Sequence, residues 1–356
     1  MVALGHLTQR DNTFWQIVLR APGAARWRLV TPPGVASNGG FSAETTQGAA
    51  GAPGVVTAGF QPSQYLRYSP IASTSDGGKT WAAGTLAAGL LPVADAVAGA
   101  PGGAVLALVR AEGGSLEVSK TSLTAWRVLV TRSALGATDA GRSCGVLALS
   151  AVAAAPAGSS SPELGAACSA PGVVGLFHLS SRRWVATRVR APAGAGATLT
   201  VLRLVTGPTG TSALVEARRP RGASLLDLWR SGPKARWAAT KEVRLRGSVV
   251  STAVLGPRSL VVGTGRGLRV QDLLWTGGPS TAWRSLGAPP AGTQVVALAP
   301  GAALPPPGAA PSKDAGPLSA LVVSGSEVTV WQRSSTGRWT PTSERLHVPV
   351  EYGTST

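Results

Sequence analysis

The chain has 356 residues, of which 44% are apolar and 14% are charged, so it can bury a core and lacks the composition of a disordered protein. Its 46 glycines and 27 prolines are scattered between short apolar runs, as is typical of many strands joined by turns. No apolar run approaches the roughly 18 residues of a membrane span, which argues against a transmembrane segment.

The formal net charge of +17 comes from 28 arginines and 5 lysines set against 16 acidic residues. Two interpretations stay open. A GC-rich genome produces a high ratio of Arg to Lys beside abundant Ala, Gly and Pro, and a basic surface can also attract an anionic partner. The basic residues are spread along the chain without a helix-turn-helix pattern, a zinc spacing or an aromatic-basic motif, so nucleic acid is not the expected partner.

The first predicted elements are strands at residues 2–8, 14–19 and 27–30, and a tryptophan opens the third. The same plan, an apolar segment, a polar turn and a tryptophan that opens another extended segment, recurs along the chain. Intervals of 54, 45, 58, 53, 46 and 56 residues separate its seven copies, Trp27, Trp81, Trp126, Trp184, Trp237, Trp283 and Trp339. This is the spacing of the four-stranded blades of a β-propeller.

We therefore predict an all-β chain that forms one seven-bladed β-propeller of four-stranded antiparallel blades. Residues 1–30 lack a fourth strand, which the C-terminal segment 347–352 could supply, so that both termini close blade 1 and remove an open edge. The predicted blades are residues 1–30 with 346–356 (blade 1), 31–86 (blade 2), 87–131 (blade 3), 132–190 (blade 4), 191–244 (blade 5), 245–288 (blade 6) and 289–345 (blade 7).

The turn at residues 74–81 carries a recognisable motif, in which Thr74, Asp76, Gly78, Thr80 and Trp81 follow one another at fixed spacing. Asp76 can accept hydrogen bonds from its own turn, Gly78 can take a positive φ, and Trp81 can pack into the sheet. The segment resembles the Asp-box of the BNR-repeat β-propellers, a superfamily that includes sialidase-like and YVTN-like propellers. The resemblance implies a propeller fold and a structural role for the box, away from the ligand face.

The resemblance does not extend to the sialidase active site. The sequence has no Arg-Ile-Pro segment, and its three tyrosines are Tyr65, Tyr68 and Tyr352. Seven blades are also predicted where sialidases have six. Sialidase activity is therefore not what the resemblance implies for this chain.

The sequence nominates no catalytic residue, metal site or cofactor site. Glycosidic hydrolysis usually needs two facing carboxylates, and the acids nearest to strands are expected to be solvated strand or turn residues: Glu216, Asp227, Asp272 and Glu351. The three histidines, His6, His178 and His347, are too few and too separated to form a metal site recognisable by spacing. Residues 263–267 form a glycine-rich turn without the following helix that a phosphate loop requires.

Cys144 and Cys168 are the two cysteines of the chain, and both fall in predicted blade 4. Cys144 precedes the first strand of that blade and Cys168 ends the second, which places both near one end of an antiparallel pair. A disulfide and two buried free thiols are both open alternatives at this point.

The first residues show no cleavable signal, yet the Asp-box propellers that this chain resembles are mostly exported. We therefore expect an extracytoplasmic protein, secreted or anchored at the surface, whose export signal lies upstream of Met1.

Propellers usually bind ligands on the face made by the loops that follow the fourth and second strands of each blade. Seven arginines on these loops are the predicted ligand-binding residues: Arg10, Arg67, Arg110, Arg218, Arg219, Arg221 and Arg266. Arg132, Arg142 and Arg190 lie on the same set of loops, whereas Arg182, Arg183, Lys234 and Arg333 lie on the opposite face.

Two function classes follow from this scaffold. The first is a noncatalytic, monomeric binding or assembly module that presents a rigid face to a protein, a glycan or an anionic cell-surface polymer. The alternative is a divergent glycoside hydrolase or lyase acting at the mouth of the central channel, which would need carboxylates that converge there.

Overall fold

The computed structural model of this chain is all-β, with 28 strands and two short helices among the residues that the structure describes. These residues are 2–9, 12–19, 28–32, 41–47, 55–60, 70–86, 93–99, 104–110, 114–119, 123–154, 161–187, 189, 196–207, 210–230, 235–239, 242–245, 248–254, 260–265, 273–278, 281–285, 294–300, 318–324, 327–334 and 336–345. The described strands form six antiparallel sheets, which we number I to VI.

The first three sheets follow the chain without interruption. Sheet I has three strands, β1 (Val2–Gln9), β2 (Asn12–Leu19) and β3 (Arg28–Leu29). Sheet II consists of β4 (Phe41–Gln47), β5 (Val55–Phe60), β6 (Pro70–Thr74) and β7 (Ala82–Thr85). Sheet III consists of β8 (Val93–Gly99), β9 (Val105–Arg110), β10 (Ser115–Ser119) and β11 (Arg127–Thr131).

Sheet IV has nine strands in two halves, and a single residue pair, Ala167 with Thr200, joins the halves. Half IVa comprises β12 (Val146–Ala153), β13 (Glu163–Cys168), β14 (Gly175–Ser180) and β15 (Arg183–Ala186). Half IVb comprises β16 (Thr198–Gly207), β17 (Gly210–Arg219), β18 (Gly222–Arg230), β19 (Ala238–Ala239) and β20 (Val243–Arg244).

The last two sheets again have four strands each. Sheet V consists of β21 (Ser248–Val254), β22 (Leu260–Gly265), β23 (Leu273–Gly278) and β24 (Thr281–Ser285). Sheet VI consists of β25 (Gln294–Pro300), β26 (Leu318–Ser324), β27 (Glu327–Arg333) and β28 (Trp339–Arg345). The segment 347–352, predicted to complete blade 1, lies outside the described residues.

Two helices were not predicted. Helices α1 (Arg132–Gly136) and α2 (Asp139–Cys144) lie between β11 and β12, where the sequence had indicated strands and turns alone. The hydroxyl oxygens of Thr131 and Thr138 accept hydrogen bonds from backbone N–H groups in the first turns, at 3.1 and 2.9 Å. Gly145 ends α2 with a φ of +62°, so both helices are capped by local sequence signals.

The buried apolar residues form clusters between consecutive sheets. Ile17 of sheet I packs with Phe60 of sheet II, and Ile71 of sheet II packs with Val97 of sheet III. The same arrangement continues between sheet III and half IVa, between the two halves of sheet IV, and between half IVb and Val262 of sheet V. The core is therefore a series of layers between sheets.

The repeat tryptophans explain how these layers are built. Trp81, Trp126, Trp184 and Trp237 each open the outer strand of their own group, and each packs against the cluster shared with the preceding group. A large, half-buried aromatic side chain at that place covers the edge of the layer. The repeat in the sequence therefore marks a repeated contact between neighbouring sheets.

A second regularity concerns strand register. The pairing between first and second strands shifts register once in sheets II, III, V and VI and in half IVb, and twice in half IVa. The pairing between second and third strands has no such shift in any of these groups. The β1–β2 pairing of sheet I also has no shift. By this criterion, β1 and β2 correspond to the second and third strands of the other groups.

Candidate functional site: the arginine-bearing strand ends

The turn at residues 74–81 uses its polar side chains to hold itself together. The Asp76 carboxylate accepts hydrogen bonds from the backbone N–H of Lys79 at 2.9 Å and from the N–H and hydroxyl of Thr80 at 3.0 and 2.6 Å. The Thr74 hydroxyl donates a 2.8 Å hydrogen bond to Oδ1 of the same carboxylate, the oxygen that also accepts from Lys79. These hydrogen bonds, chiefly those from Thr80, hold the pKa of Asp76 far below its usual range. Asp76 is therefore a structural carboxylate.

The same turn fits against sheet I. Gly77 and Gly78 have φ of +74° and +80°, and a side chain on Gly78 would collide with Val30. The guanidinium of Arg28 donates a 2.9 Å hydrogen bond to the carbonyl oxygen of Gly77. This turn is thus a contact between two sheets.

Cys144 and Cys168 form a disulfide in the structure, with Cα atoms 5.0 Å apart. The bond ties the end of α2 to the end of β13, and both cysteines are buried. Two backbone hydrogen bonds reinforce the junction, from Ser169 N to Gly145 O at 2.9 Å and from Ala170 N to Cys144 O at 3.0 Å. The helical segment is therefore held firmly over the layer between sheet III and half IVa.

In sheet III and half IVb, the predicted arginines lie at the same strand end. The first residue of a first strand pairs with the end of the second strand, as Val93 does with Arg110 and Thr198 with Arg218. Arg110 and Arg219 are the last residues of β9 and β17, and Arg221 lies in the following turn. The structure thus places the described members of the predicted set at equivalent strand ends, while Arg10, Arg67, Arg190 and Arg266 lie outside the described residues.

Most of these arginines hold a carboxylate of the same chain. Arg110 forms an ion pair with Asp95 at 2.5 Å, and Arg142 pairs with Asp139 within α2. In half IVb, Arg218 pairs with Glu216 at 3.2 Å, and Arg219 makes a two-point contact with Glu242 at 2.5 and 3.1 Å. The free charge of this surface is therefore smaller than the sequence suggested.

The described acids show the complementary picture. Eight carboxylates have described side chains, and each has a partner within the chain: Asp76, Asp95, Glu117, Asp139, Glu163, Glu216, Asp227 and Glu242. The described residues contain no group of three or more His, Cys, Asp or Glu side chains that could hold a metal ion. Within this part of the chain, each carboxylate therefore has a hydrogen-bond or ion-pair partner.

Two acids are buried whose burial the sequence did not predict. Asp227 was expected to be solvated, yet it is 1% exposed in β18 and accepts a 2.5 Å hydrogen bond from Ser212. Burial raises the pKa of Asp227 to about 7, and the bond from Ser212 lowers it in part. Glu216 is half-buried and paired, whereas Asp272 and Glu351 lie outside the described residues.

The second buried acid, Glu163, was not singled out from the sequence. It begins β13 and forms an ion pair with Arg230 at the end of β18, with both side chains 3% exposed. Burial raises the pKa of Glu163, and Arg230 partly opposes that shift. Arg230 also lies 5.1 Å from the centre of the Trp237 ring, which is a cation–π contact. Because the pair joins the halves of sheet IV across 67 residues of sequence, no local motif could have revealed it.

His178 is the one histidine whose side-chain environment the structure describes. Its ring nitrogen Nδ1 lies 3.3 Å from the Thr187 hydroxyl. Burial and the nearby Arg230 charge lower the pKa of His178, so it is neutral at neutral pH. His178 thus has a hydrogen-bonding partner on the neighbouring segment of its own sheet. No helix among the described residues is long and apolar enough to cross a membrane.

No protein-family model and no curated protein sequence matches this chain. Solved structures do resemble it. A putative 6-phosphogluconolactonase from Bacteroides uniformis aligns with a TM-score of 0.54 and 12% identity, over 96% of this chain and 95% of that one. The GH74 xyloglucanase from Xanthomonas campestris gives 0.53 and 15%, over 91% and 50%.

PorZ, a surface component of the type-IX secretion system of Porphyromonas gingivalis, aligns with a TM-score of 0.51 and 12% identity. The alignment covers 96% of this chain and 47% of PorZ, so the chain spans about half the length of PorZ and of the xyloglucanase. At these identities the similarity shows the fold alone. Together with the antiparallel sheets, it establishes that this chain has a β-propeller fold.

Proposed function

We propose that this protein is a seven-bladed propeller that acts as a noncatalytic binding or assembly module outside the cytoplasm. In this proposal the two halves of sheet IV are blades 4 and 5, and the blade ranges are those given by the tryptophan repeat. Contacts between neighbouring groups support a ring: β8 contacts β4 and β12, β12 contacts β16, β18 contacts β23, and β25 contacts β21 and β1.

Closure of blade 1 by both termini rests on strand register. Sheet I begins with a pairing of the second-to-third type, so its missing member is a first strand, and segment 347–352 follows the last described strand. Removing residues 346–356 should lower the melting temperature and speed hydrogen exchange in β1. Unchanged exchange in β1 would contradict closure.

The assignment to the Asp-box propellers rests on residues 74–81, whose hydrogen bonds follow the motif. We propose the extracytoplasmic location because the chain contains a buried disulfide, and disulfides persist in oxidising compartments. Neither feature identifies a substrate.

The single observation that carries the binding role is that every described carboxylate is engaged by a partner of its own chain. A glycosidase needs one free acid and one free base or nucleophile at the reacting bond. Arginine-bearing strand ends instead fit an anionic partner, because guanidinium groups donate paired hydrogen bonds to carboxylate and phosphate oxygens.

The experiment is a panel of immobilised acidic proteins, peptides and polysaccharides, measured for binding at low and high salt and for turnover. We expect saturable binding that weakens with salt and no product release. Hydrolysis that depends on one carboxylate would establish the alternative, a divergent glycoside hydrolase or lyase, and overturn this proposal.

A further inference from the structure

One corner of half IVb concentrates positive charge. Arg218 and Arg219 end β17, Arg221 lies in the turn to β18, and Arg244 ends β20. Because Arg244 is the register partner of Ser224, β20 brings its arginine next to the turn. We call these four residues the arginine corner.

Two of the four arginines are held in place by acids that lie deeper. The Glu216 side chain is 13% exposed and that of its partner Arg218 is 70% exposed. Glu242 is 25% exposed, and it accepts hydrogen bonds from Arg219 and from the hydroxyl of the buried Ser224. The Arg219 hydrogen bonds lower the pKa of Glu242, so it stays ionised. The less exposed acids Glu216 and Glu242 thus fix the positions of the Arg218 and Arg219 guanidinium groups.

The other two arginines face outward. Arg221 and Arg244 are exposed, and neither forms an ion pair with a carboxylate among the residues that the structure describes. The guanidinium of Arg244 donates a 3.4 Å hydrogen bond to the carbonyl oxygen of Arg221, which keeps the two residues adjacent. Each can still offer a two-pronged donor edge to an oxyanion.

The surroundings of the corner select among anionic partners. The tryptophans of this group lie at the far end of β18, where Trp229 pairs with Ala238, and Trp237 is half-buried. Among the residues that the structure describes, Glu216, Ser224 and Glu242 accept hydrogen bonds from Arg218 and Arg219. The side chains that this corner already holds by charge are the carboxylates of Glu216 and Glu242, so carboxylate is the anionic group to which its geometry is matched.

We propose that Arg221 and Arg244, flanked by Arg218 and Arg219, bind an acidic polypeptide segment through its carboxylates. This inference rests on the proposed binding function and names its partner class and place. The internal contact between Arg219 and Glu242 shows the geometry that such a carboxylate would adopt.

The test uses a fluorescent glutamate homopeptide and measures binding to the full chain by anisotropy. Replacing both outward arginines (Arg221→Ala with Arg244→Ala) should weaken binding about tenfold or more, which corresponds to about 1.4 kcal/mol or more, because the peptide loses two charge-assisted contacts. The matched control removes two exposed arginines next to repeat tryptophans, Arg127→Ala with Arg236→Ala, and should change binding less than about twofold. Melting curves of both variants check folding.

Equal weakening by the two double variants would mean that total charge alone attracts the peptide, and it would overturn the assignment to the corner. Tighter, corner-dependent binding of a polyuronate or a sulfated polysaccharide would replace the peptide with a glycan. A parent protein that binds no anion of any kind would instead contradict the proposed function, so the two failures are distinguishable.

Discussion

The Ser150 hydroxyl in β12 donates a 2.7 Å hydrogen bond to the carbonyl oxygen of Val201 in β16. Both strands shift register at these positions, between Leu149 and Ala151 and between Val201 and Arg203. A bulge leaves one residue without a ladder partner, and here the unmatched serine satisfies a carbonyl of the next group. The bulge of β12 therefore also connects half IVa to half IVb.

Replacing Ser150 with alanine should lower the free energy of unfolding by about 1–2 kcal/mol, because the Val201 carbonyl loses its donor. Urea denaturation measures the change. The control is Ser180→Ala, at the exposed end of β14, which should change stability by less than about 0.5 kcal/mol. Equal effects of the two substitutions would show that the hydrogen bond between β12 and β16 contributes nothing.

Trp237→Ala should lower the free energy of unfolding by about 3–5 kcal/mol, since this side chain closes the layer between the halves of sheet IV and stacks on Arg230. Trp237→Phe should cost less, because it keeps part of the packing. Thermal melts compare both variants with the parent. A melting curve for Trp237→Ala that matches the parent would rule out a core role for the repeat tryptophan.

Because Glu163 and Arg230 form a buried ion pair, we expect the stability lost on replacing one of them to depend strongly on whether the other is present. Glu163→Leu alone should destabilise the protein by about 3–5 kcal/mol, because it leaves the Arg230 charge buried without its partner, and Arg230→Met alone should do the same to Glu163. Glu163→Leu combined with Arg230→Met removes both charges and should cost far less. A double-mutant cycle by chemical denaturation gives the coupling, and additive losses would contradict it.

The raised pKa of Asp227 predicts that the stability of the protein falls as pH rises. Its folded pKa of about 7 lies above the ordinary value, so the folded protein holds a proton that the unfolded chain releases near pH 4. The free energy of unfolding should decrease between about pH 4 and 7, by up to about 1.4 kcal/mol per pH unit from this residue. Asp227→Asn should remove that decrease and be more stable than the parent at pH 8. Parallel pH profiles of the two proteins would refute the assignment.

Removing the disulfide by Cys144→Ser with Cys168→Ser should cost about 3 kcal/mol, the amount expected for a loop of this length. Thiol counting on unreduced, denatured parent protein should find no free thiol. Two titratable thiols would show that the cysteines are reduced in the folded protein.

The repeated hairpins of this fold could be predicted from the sequence. Features that depend on how the sheets pack against one another could not. The tryptophan repeat indicated the hairpins because one contact between neighbouring sheets is made again and again, as at Trp81 and Trp126. Helix α2 was not predicted because it is short and because its sequence signals are a single Thr cap and a terminal glycine. The burial of Asp227 follows from the covering of both faces of β18, for which the local signal is the apolar run that surrounds it, Leu225–Trp229.

The arginine-bearing strand ends were predicted as a set, but their pairing was not. Whether Arg219 is free or bound depends on Glu242, 23 residues away, which reaches it through the small strand β20. Charge counting from the sequence treats such pairs as independent ions. It therefore overstates the attraction that the surface exerts on a partner.

The close fit of Gly78 against Val30 bears on how the repeats of this chain diverged. A turn that supports its neighbour at such short range leaves no room for a side chain at the glycine, whatever happens in the rest of the loop. A hairpin turn without such a neighbour can accept substitutions one at a time while its tryptophan still covers the layer. Retention of Gly78 in the turn at residues 74–81 is then the expected result of a single local steric demand.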